Sequence, residues 1–394
     1  MAQLTGWLTA AEAADRLGVK PATLYAYVSR GVLARRRSAS GQSLFDPAEV
    51  DRLARRGRPR RATGTAEVVI ESRVTALGDD RPSYRGHDAL TLARSASFES
   101  VADLLWSQNG PGVWRATDSA LTAGRAASAA LPADTLPLDR IQAIVPALAA
   151  TDPLRGNLDP MAVADVGRAL VAGVVDSLPQ GEVPPSDESI AARLTVRLGG
   201  DPRLVDATRA ALVLIADHEL AASTLAARVA ASVRADPYAV VTAGMATASG
   251  ALHGGASLGA EALLDATPSP AAVGEVIGLR LRRGERIPGF GHAVYKAGDA
   301  RGTALLDHVR AAAPDHPVLA VADALVAAAR DRRLPELNVD FALATLTRVA
   351  GMPTGAGEAI FAVSRTAGWL AHAMEEYEQR TPLRLRAVYI GPTT

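Results

Sequence analysis

The chain has 394 residues, of which 48% are hydrophobic in type, so it is long enough for two or three folded units with sizeable cores. It contains no cysteine, which excludes disulfides, cysteine-ligated zinc, iron–sulfur clusters and thiol nucleophiles. The formal net charge of zero conceals an uneven distribution, because residues 1–62 hold 12 basic and 5 acidic residues and the remainder is correspondingly acidic.

The basic segment 1–62 is predicted to form a small winged helix-turn-helix module. Thr9 and Glu12 stand at the spacing of a capping box, which satisfies the free amides at a helix start. Pro21 suits the first turn of a second helix. The alternating stretch that follows turns at Gly41, as a small β-hairpin would.

This layout resembles the N-terminal domain of the MerR and excisionase families, in which the second helix enters the major groove of DNA. The resemblance implies that the residues facing DNA are Lys20, Thr23, Tyr25 and Arg30, with Arg35, Arg36 and Arg37 on the wing near phosphates. The alternative is a relic or a dimerisation module whose arginines form only a solvated face. A linker rich in Arg and Gly follows, and the domain boundary is predicted near residue 62.

From about residue 65 onward the chain is rich in Ala and Leu, and its apolar residues recur at helical spacing. The clearest helical segments are 100–106, 141–149, 162–175, 207–233, 318–329 and 358–379. Strand signals are confined mainly to 66–77 and 386–390, so the predicted fold class is mainly α. The N-terminus lacks the pattern of a signal peptide, and no stretch reaches about 18 uncharged apolar residues, so a cytoplasmic protein is expected.

Three of the seven histidines lie in surroundings that suit a functional site. His253 and His292 are flanked by glycines, which let a ligand approach an imidazole closely. His218 lies midway along a strongly apolar predicted helix. The alternative is that these glycines do ordinary turn work. Three other histidines are interpreted as surface or helix residues: His308, His316 and His372.

Two other classes of site are not supported by the spacing of the candidate residues. The three histidines and Asp340 would suffice for zinc, but no two histidines stand at short ligand spacing, so no metal is predicted. Ser257 lies in a Gly-x-Ser-x-Gly sequence, but the residues before it lack the strand that a hydrolase nucleophile needs.

The remaining polar residues suit anionic substrates. Arginines clamp carboxylates bidentately, and the candidates are Arg301, Arg365, Arg384 and Arg386. Histidines can donate hydrogen bonds to a developing oxyanion. Asp340 lies between apolar residues that partly desolvate it, which would help it to take a proton from carbon.

Six motifs, in this order and at these separations, resemble the citrate synthase family. They read DHEL-AAST-AARV, ALHGGA, IPGFGHAVYKxxDxR, LNVDF, FAVSRxxGWLAHAxE and RAVYIGP. Residues 67–106 also resemble the entry segment of that family. The resemblance covers roughly 65–394 and implies a two-domain helical fold within 63–394. The large domain would comprise about 63–250 and 346–394, and the small domain about 251–345.

The resemblance implies a citrate synthase, which condenses acetyl-CoA with oxaloacetate and water at the entry of the tricarboxylic acid cycle. His253 would hydrogen-bond the thioester oxygen as the enol forms, and Asp340 would remove the methyl proton. His292 would polarise the oxaloacetate carbonyl that the enol attacks. The other implied oxaloacetate ligands are His218, Arg301, Arg365 and, across a homodimer, Arg384, for which Arg386 competes.

For the coenzyme, the resemblance implies that Lys296 contacts the phosphates and that Gly289, Phe290 and Gly291 line the adenine pocket. It implies no cofactor beyond the acyl-CoA co-substrate.

Two departures from the family pattern leave the acyl-CoA preference open. Ser257 stands where the family has Asn, and Ala342-Leu343-Ala344 replaces the usual Tyr-Ser-Gly. The near alternative is propionyl-CoA, which would give 2-methylcitrate. An alternative of another class is a DNA-binding regulator whose synthase-like body only senses a metabolite.

Overall fold

The computed structural model describes residues 7–17, 19, 21–29, 32–38, 41–50, 53, 70–108, 112–179, 188–379 and 381–384. The chain divides into two compact units, Met1–Glu71 and Ser72–Thr394. The predicted boundary at residue 62 lies outside the described residues. The predicted split of the second unit into a large and a small domain stays a prediction.

The first unit combines short helices with a three-stranded antiparallel sheet in the order β1-β3-β2. Its elements are β1 Leu8–Thr9, α1 Ala10–Leu17, α2 Pro21–Ser29, β2 Arg36–Arg37, β3 Ser43–Phe45 and a third helix, α3, described at residues 47–50. The register pairs Leu8 with Phe45 and Arg36 with Leu44.

The predicted capping box opens α1. The Glu12 amide donates to Thr9 Oγ1 over 3.3 Å, and the Thr9 amide donates to Glu12 Oε2 over 2.8 Å. Between the helices and the sheet lies a small core of Ala13, Ala14, Leu24, Leu33, Phe45 and Val50. The two predicted helices and the predicted hairpin are therefore confirmed in the described part of this unit.

The second unit begins with a second antiparallel sheet in the order β4-β5-β6. Its strands are Thr75–Leu77, Pro82–Tyr84 and His87–Asp88. Only β4 lies within a predicted strand segment, because strands of two or three residues are too short to show an alternating pattern. The predicted strand at 386–390 lies outside the described residues.

The rest of the second unit is helical, as predicted. Its helices are α4 Ala89–Ser95, α5 Phe98–Leu105, α6 Asp118–Ala129, α7 Pro137–Ala149, α8 Pro160–Asp176, α9 Ile190–Arg197, α10 Val205–Leu214, α11 Ala222–Ser232, α12 Pro237–Ala248, α13 Ala256–Asp265, α14 Val273–Arg282, α15 Ala300–Ala312, α16 Pro317–Asp331, α17 Val339–Val349 and α18 Ala356–Glu378. Two 3-10 turns lie at Pro202–Leu204 and Pro270–Ala272.

Helix α18 forms the centre of the second unit. It runs for 23 residues, nearly all of them buried, and packs against α7, α8, α10, α11 and α12. A helix that is buried on every side is fixed by its neighbours, so the polar groups it carries are held in place. Within the described ranges, no helix combines the length and the apolar composition that crossing a bilayer would require.

The single helix predicted over 207–233 is wrong, because the structure has two helices with a connection between them. Helix α10 ends at Leu214 and α11 begins at Ala222. In the connection the Asp217 carboxylate accepts the Glu219 amide at 3.2 Å, and Glu219 adopts a left-handed φ of 51°. The connection begins with the apolar, buried Ile215 and Ala216, so the helical spacing of apolar residues does not reveal the break. His218 therefore lies in a buried loop.

Candidate active site

His292 follows Gly291 in a loop before α15, and its neighbours determine which ring nitrogen carries the proton. Its Nδ1 accepts the backbone amides of Val294 and Tyr295, over 3.0 and 3.1 Å. Burial, followed by the charge of Arg301, lowers the pKa of His292 to about 4. The ring is therefore neutral at pH 7, with its proton on Nε2. His292 is set up to donate one hydrogen bond from Nε2.

Arg301 stands beside that donor. Its Nη2 lies 3.4 Å from His292 Nε2, and two donors facing each other leave a place for an acceptor oxygen. The guanidinium is buried against Asp299, with Nε–Oδ1 at 2.9 Å and Nη2–Oδ2 at 2.8 Å. Burial opposes the charge, but the Asp299 carboxylate outweighs it and raises the pKa of Arg301. Asp299 also caps α15 and accepts the Val339 amide at 3.1 Å, so it joins α15 to the start of α17.

His218 packs against the same loop. Its Nε2 lies 3.0 Å from Tyr295 Oη, and its ring centre is 5.3 Å from that of His292. Burial, then Arg301 and Arg365, lowers its pKa well below the ordinary value for histidine. The Tyr295 ring stacks on His292 at 4.7 Å and so holds both imidazoles.

His253 lies before α13, and Ser223 of α11 determines its protonation. The Ser223 amide donates to His253 Nε2 over 3.4 Å, and Ser223 Oγ lies 2.8 Å from the same atom. A backbone amide can only donate, so the neutral ring carries its proton on Nδ1. Burial, followed by Arg365, lowers the pKa of His253 to about 4. Its ring lies against Phe361 of α18 at 5.6 Å.

Asp340 lies in the first turn of α17, where Asn338 positions it. Asn338 Oδ1 accepts the amides of Asp340 and Phe341, over 3.0 and 3.3 Å, and its Nδ2 donates to the Gly291 carbonyl at 2.8 Å. One amide side chain thus ties the Asp340 turn to the His292 loop. Burial raises the pKa of Asp340 to about 6 against the opposing charges of Arg301 and Arg365. A carboxylate that holds its proton this strongly is a better base than an exposed one.

The glycines of the His292 loop allow a close approach to α17. Gly289 has a φ of 79°, and a Cβ there would lie 2.7 Å from the Phe341 Cβ, so a larger residue does not fit. Gly291 also has a positive φ, and its amide donates to the Glu336 carbonyl at 2.7 Å. Phe290 packs on Phe341 at 4.9 Å. These contacts position the loop, and the coenzyme roles of all three residues stay predictions.

Arg365 reaches the site from α18. Its Nε donates to the Ile215 carbonyl at 2.8 Å, and the guanidinium lies 4.5 Å from the Phe361 ring centre. Its buried Nη1 has no hydrogen-bond partner among the described residues, so this donor is available to a ligand oxygen. Its charge acts on His218, His253 and Asp340 alike. The structure therefore brings six predicted residues together: His218, His253, His292, Arg301, Asp340 and Arg365.

A buried polar network lies behind His218, and it corrects one interpretation made from the sequence. His372 is on α18, but it is fully buried and not at the surface. Its Nε2 lies 3.3 Å from Asp217 Oδ2, and its Nδ1 lies 2.8 Å from Arg228 Nη1. Arg228 also pairs with Glu375 at 2.7 Å. Sequence reasoning missed this network because its members are distant along the chain.

Three further predicted residues lie at the edge of the site or outside the described residues. Lys296 is exposed, and its Nζ donates to the His292 carbonyl at 3.4 Å. Arg384 is exposed near the end of the described residues, and its role across a dimer stays a prediction; Arg386 lies outside them. In the part of the chain that the structure describes, no group of three or more His, Asp or Glu side chains is placed to hold a metal ion.

The first unit presents the predicted DNA-facing residues to solvent where they are described. Thr23 and Tyr25 are exposed on α2, and Arg35, Arg36 and Arg37 are exposed on the wing. The Arg36 guanidinium lies 5.5 Å from the Trp7 ring centre. Lys20 and Arg30 lie outside the described residues.

Comparisons with known proteins find two matching family models. Residues 64–386 match "Citrate synthase, C-terminal domain", and residues 7–58 match "Helix-turn-helix domain". Citrate synthase 2 of Bacillus subtilis is 31% identical over 355 residues, which cover 82% of this chain and 94% of that protein. The 2-methylcitrate synthase of Shewanella oneidensis is 30% identical over 332 residues, covering 78% and 88%.

Among solved structures, the citrate synthase of Thermoplasma acidophilum, determined as a ternary complex with carboxymethyl coenzyme A and oxaloacetate, is similar to this chain. It superposes with a TM-score of 0.70 at 27% sequence identity, covering 83% of this chain and 95% of that one.

Proposed function

The chain belongs to the citrate synthase family and carries an N-terminal helix-turn-helix domain, and from this premise we propose that it condenses acetyl-CoA with oxaloacetate to give citrate and CoA. The observation that carries the proposal is the arrangement of protons in the site. Two neutral histidines each have one defined donor nitrogen, and the site also holds a carboxyl group with a pKa of about 6.

In the first step, Asp340 removes a proton from the methyl carbon of acetyl-CoA. The electron pair moves into the thioester, and the Nδ1–H of His253 donates to the thioester oxygen as negative charge grows there. A neutral imidazole with a low pKa keeps its own proton, so it stabilises the enol by a hydrogen bond. Asp340 is ionised at pH 7, because its pKa lies about one unit lower.

In the second step, the enol carbon attacks the carbonyl carbon of oxaloacetate. The Nε2–H of His292 and the Arg301 guanidinium converge on one place, which would hold that carbonyl oxygen. The free Nη1 of Arg365 would pair with a substrate carboxylate, joined by His218 and by Arg384 of the partner subunit in a homodimer. The carbonyl oxygen would take the Nε2 proton of His292 to become the hydroxyl of citryl-CoA, and water would then cleave the thioester to release citrate and CoA. The proposed reaction uses no cofactor beyond the acyl-CoA co-substrate, and Lys296 and residues 289–291 are its proposed contacts.

The test is release of free CoA in the presence of oxaloacetate, measured with a thiol reagent. The protein has no cysteine, so it contributes no background. Asp340→Ala should abolish release, and Asp331→Asn, at an exposed position, should leave it unchanged. If the wild-type chain releases CoA from neither acetyl-CoA nor propionyl-CoA, the proposed function is wrong.

Preference for acetyl-CoA over propionyl-CoA is part of this proposal. One additional methylene changes transition-state binding by only about 1–3 kcal/mol, so small changes around the site can reverse the preference. Ser257 and Ala342, which differ from the usual residues of the family, are both buried near the site. Ser257 Oγ donates to the Gly254 carbonyl at 3.3 Å. The ratio of kcat/KM for the two acyl-CoA substrates decides between the two reactions.

The exposed wing favours a second function, which is DNA binding by the helix-turn-helix domain. Replacing Arg35, Arg36 and Arg37 together with Gln should weaken retention of genomic DNA in a gel shift. It should also reduce the slope of log K against log salt by up to about 0.9 per lost phosphate contact. A matched triple change of Arg280, Arg282 and Arg283 in the second unit is the control. An equal loss of DNA retention in both triple variants would refute the role of the wing.

The regulator hypothesis predicts a chain that binds oxaloacetate and DNA without releasing CoA. Asp340 argues for the enzyme, since a sensor needs the arginine clamps but has no use for a desolvated base.

A further inference from the structure

A cavity of about 190 Å³ lies in the second unit, and none of the residues that line it belongs to the site described above. It lies between the connection before α7, the C-terminal ends of α8 and α9, and the connection before α18. One buried water needs only about 10–15 Å³, so this space is sufficient for a small organic molecule.

Arg197, in the last turn of α9, lines the cavity and is 6% exposed. Its Nη1 donates to the Leu178 carbonyl at 3.2 Å, but its Nε and Nη2 have no hydrogen-bond partner among the described residues. The carboxylate that acts on it, Asp176, is already held through both oxygens by Arg193. Among the described residues, Arg197 is therefore a buried cation with no carboxylate of its own.

Arg140 of α7 places a second buried cation on the same wall, at 5% exposure. Its guanidinium donates to two backbone carbonyls, those of Ser128 and of Pro132, the latter at 2.7 Å, and none of its hydrogen-bond partners in the described part of the chain is a carboxylate. Asp134 also lines the cavity, but it is exposed to solvent. The remaining lining is largely apolar and includes Leu136, Leu178 and Leu198.

We propose that this cavity binds a small organic anion. Its carboxylate or phosphate group would neutralise Arg197 and Arg140, and its short carbon chain would lie against the three leucines. A buried charge without a counter-ion is costly to the fold, so an anion in contact with Arg197 stabilises the folded chain. This inference concerns binding away from the active site and does not rest on the proposed function.

The test compares thermal unfolding of the full chain in sodium phosphate, in sodium butanoate and in sodium chloride at the same ionic strength. At about ten times the Kd, the bound anion should raise Tm by about 2 °C over chloride. A rise with phosphate alone identifies a phosphate site and a rise with butanoate alone a carboxylate site, and either result supports the proposal. No rise with either anion overturns it.

Variants assign the effect to this cavity. Arg197→Met should raise Tm in chloride, because it removes the unpaired charge, and should lose the rise caused by the anion. Arg332→Met, at the exposed C-cap of α16, is the matched control and should keep that rise. Arg197→Gln is a second variant in case the first does not fold, and calorimetric titration of the wild type gives the Kd directly. An anion effect of equal size in the Arg197 variants places the anion elsewhere and refutes the proposal.

Discussion

Replacing Asp340 with Asn is expected to stop catalysis and to stabilise the fold at neutral pH. Loss of the base should reduce CoA release by about 10²–10⁴-fold. The gain in stability has a separate cause. Burial raises the pKa of Asp340 from 3.8 to about 6, so the folded chain carries a partly desolvated negative charge that the unfolded chain exposes to water. Asn has the same shape and no charge.

The size of this gain depends on pH. Between pH 3.8 and 6 the folded state retains a proton that the unfolded state has lost, so stability falls as pH rises through that range. Above it both states are ionised and the full cost remains. Since a tenfold change in proton affinity equals about 1.4 kcal/mol, the cost is about 3 kcal/mol at pH 7 and about 1 kcal/mol at pH 4.5. The free energy of unfolding of Asp340→Asn should exceed that of the wild type by these amounts.

Urea unfolding of the variant and the wild type, followed by circular dichroism at both pH values, measures the gain. Asp299→Asn is the matched control, because the same chemical change removes the partner of buried Arg301 and should destabilise by about 3–5 kcal/mol. If Asp340→Asn does not stabilise the protein at pH 7, or if the gain is the same at pH 4.5, Asp340 is not a desolvated carboxylate and the reasoning fails.

Three other expectations follow from the same contacts. The kcat/KM for CoA release should fall tenfold per pH unit below about 6, where Asp340 becomes protonated; a midpoint near 4 would assign the limiting group to a histidine instead. Asn338→Asp keeps the acceptor that caps α17 but loses the donor to the Gly291 carbonyl, so it should destabilise the fold by about 1 kcal/mol. The added negative charge should also move the midpoint of the pH profile upward. An unchanged midpoint would argue against this positioning role. Ser223→Ala removes the hydroxyl beside His253 Nε2 and should lower kcat about tenfold while leaving the KM for oxaloacetate unchanged. A change only in the KM for oxaloacetate would show that Ser223 acts on oxaloacetate and not through His253.

The candidate residues could be chosen from local signals, whereas the ends of the elements that carry them could not. Glycine-flanked histidines and an apolar-flanked aspartate are local signals, and in the structure His292 lies beside Arg301 while the charge of Arg365 acts on His253 and Asp340. The break between α10 and α11 was not predictable from periodicity, because Ile215 and Ala216 continue the apolar pattern while the Asp217 carboxylate turns the chain. The burial of His372 depends on Arg228, 144 residues away, and no local pattern indicates such a partner.

The role of Asp299 was not predicted, although its spacing from Arg301 in the sequence indicates it. Aspartate is a preferred N-cap residue, and Asp299 caps α15 and also pairs with Arg301 two residues later. The same spacing allows one carboxylate to fix the helix start and the orientation of the guanidinium.

The mechanism depends on which ring nitrogen of each histidine carries the proton, and not only on which residues are proposed as catalytic. His253 and His292 have similarly lowered pKa values, yet they donate from different nitrogens, because Ser223 occupies Nε2 of one and two backbone amides occupy Nδ1 of the other. The amides of Val294 and Tyr295 reach the His292 ring because the chain turns tightly after Gly291, which has a positive φ. A Cβ at Gly254 would lie 2.7 Å from the Ala248 carbonyl oxygen, so a larger residue there would displace the chain beside His253. A substitution at either glycine should therefore reduce CoA release even if both imidazoles remain.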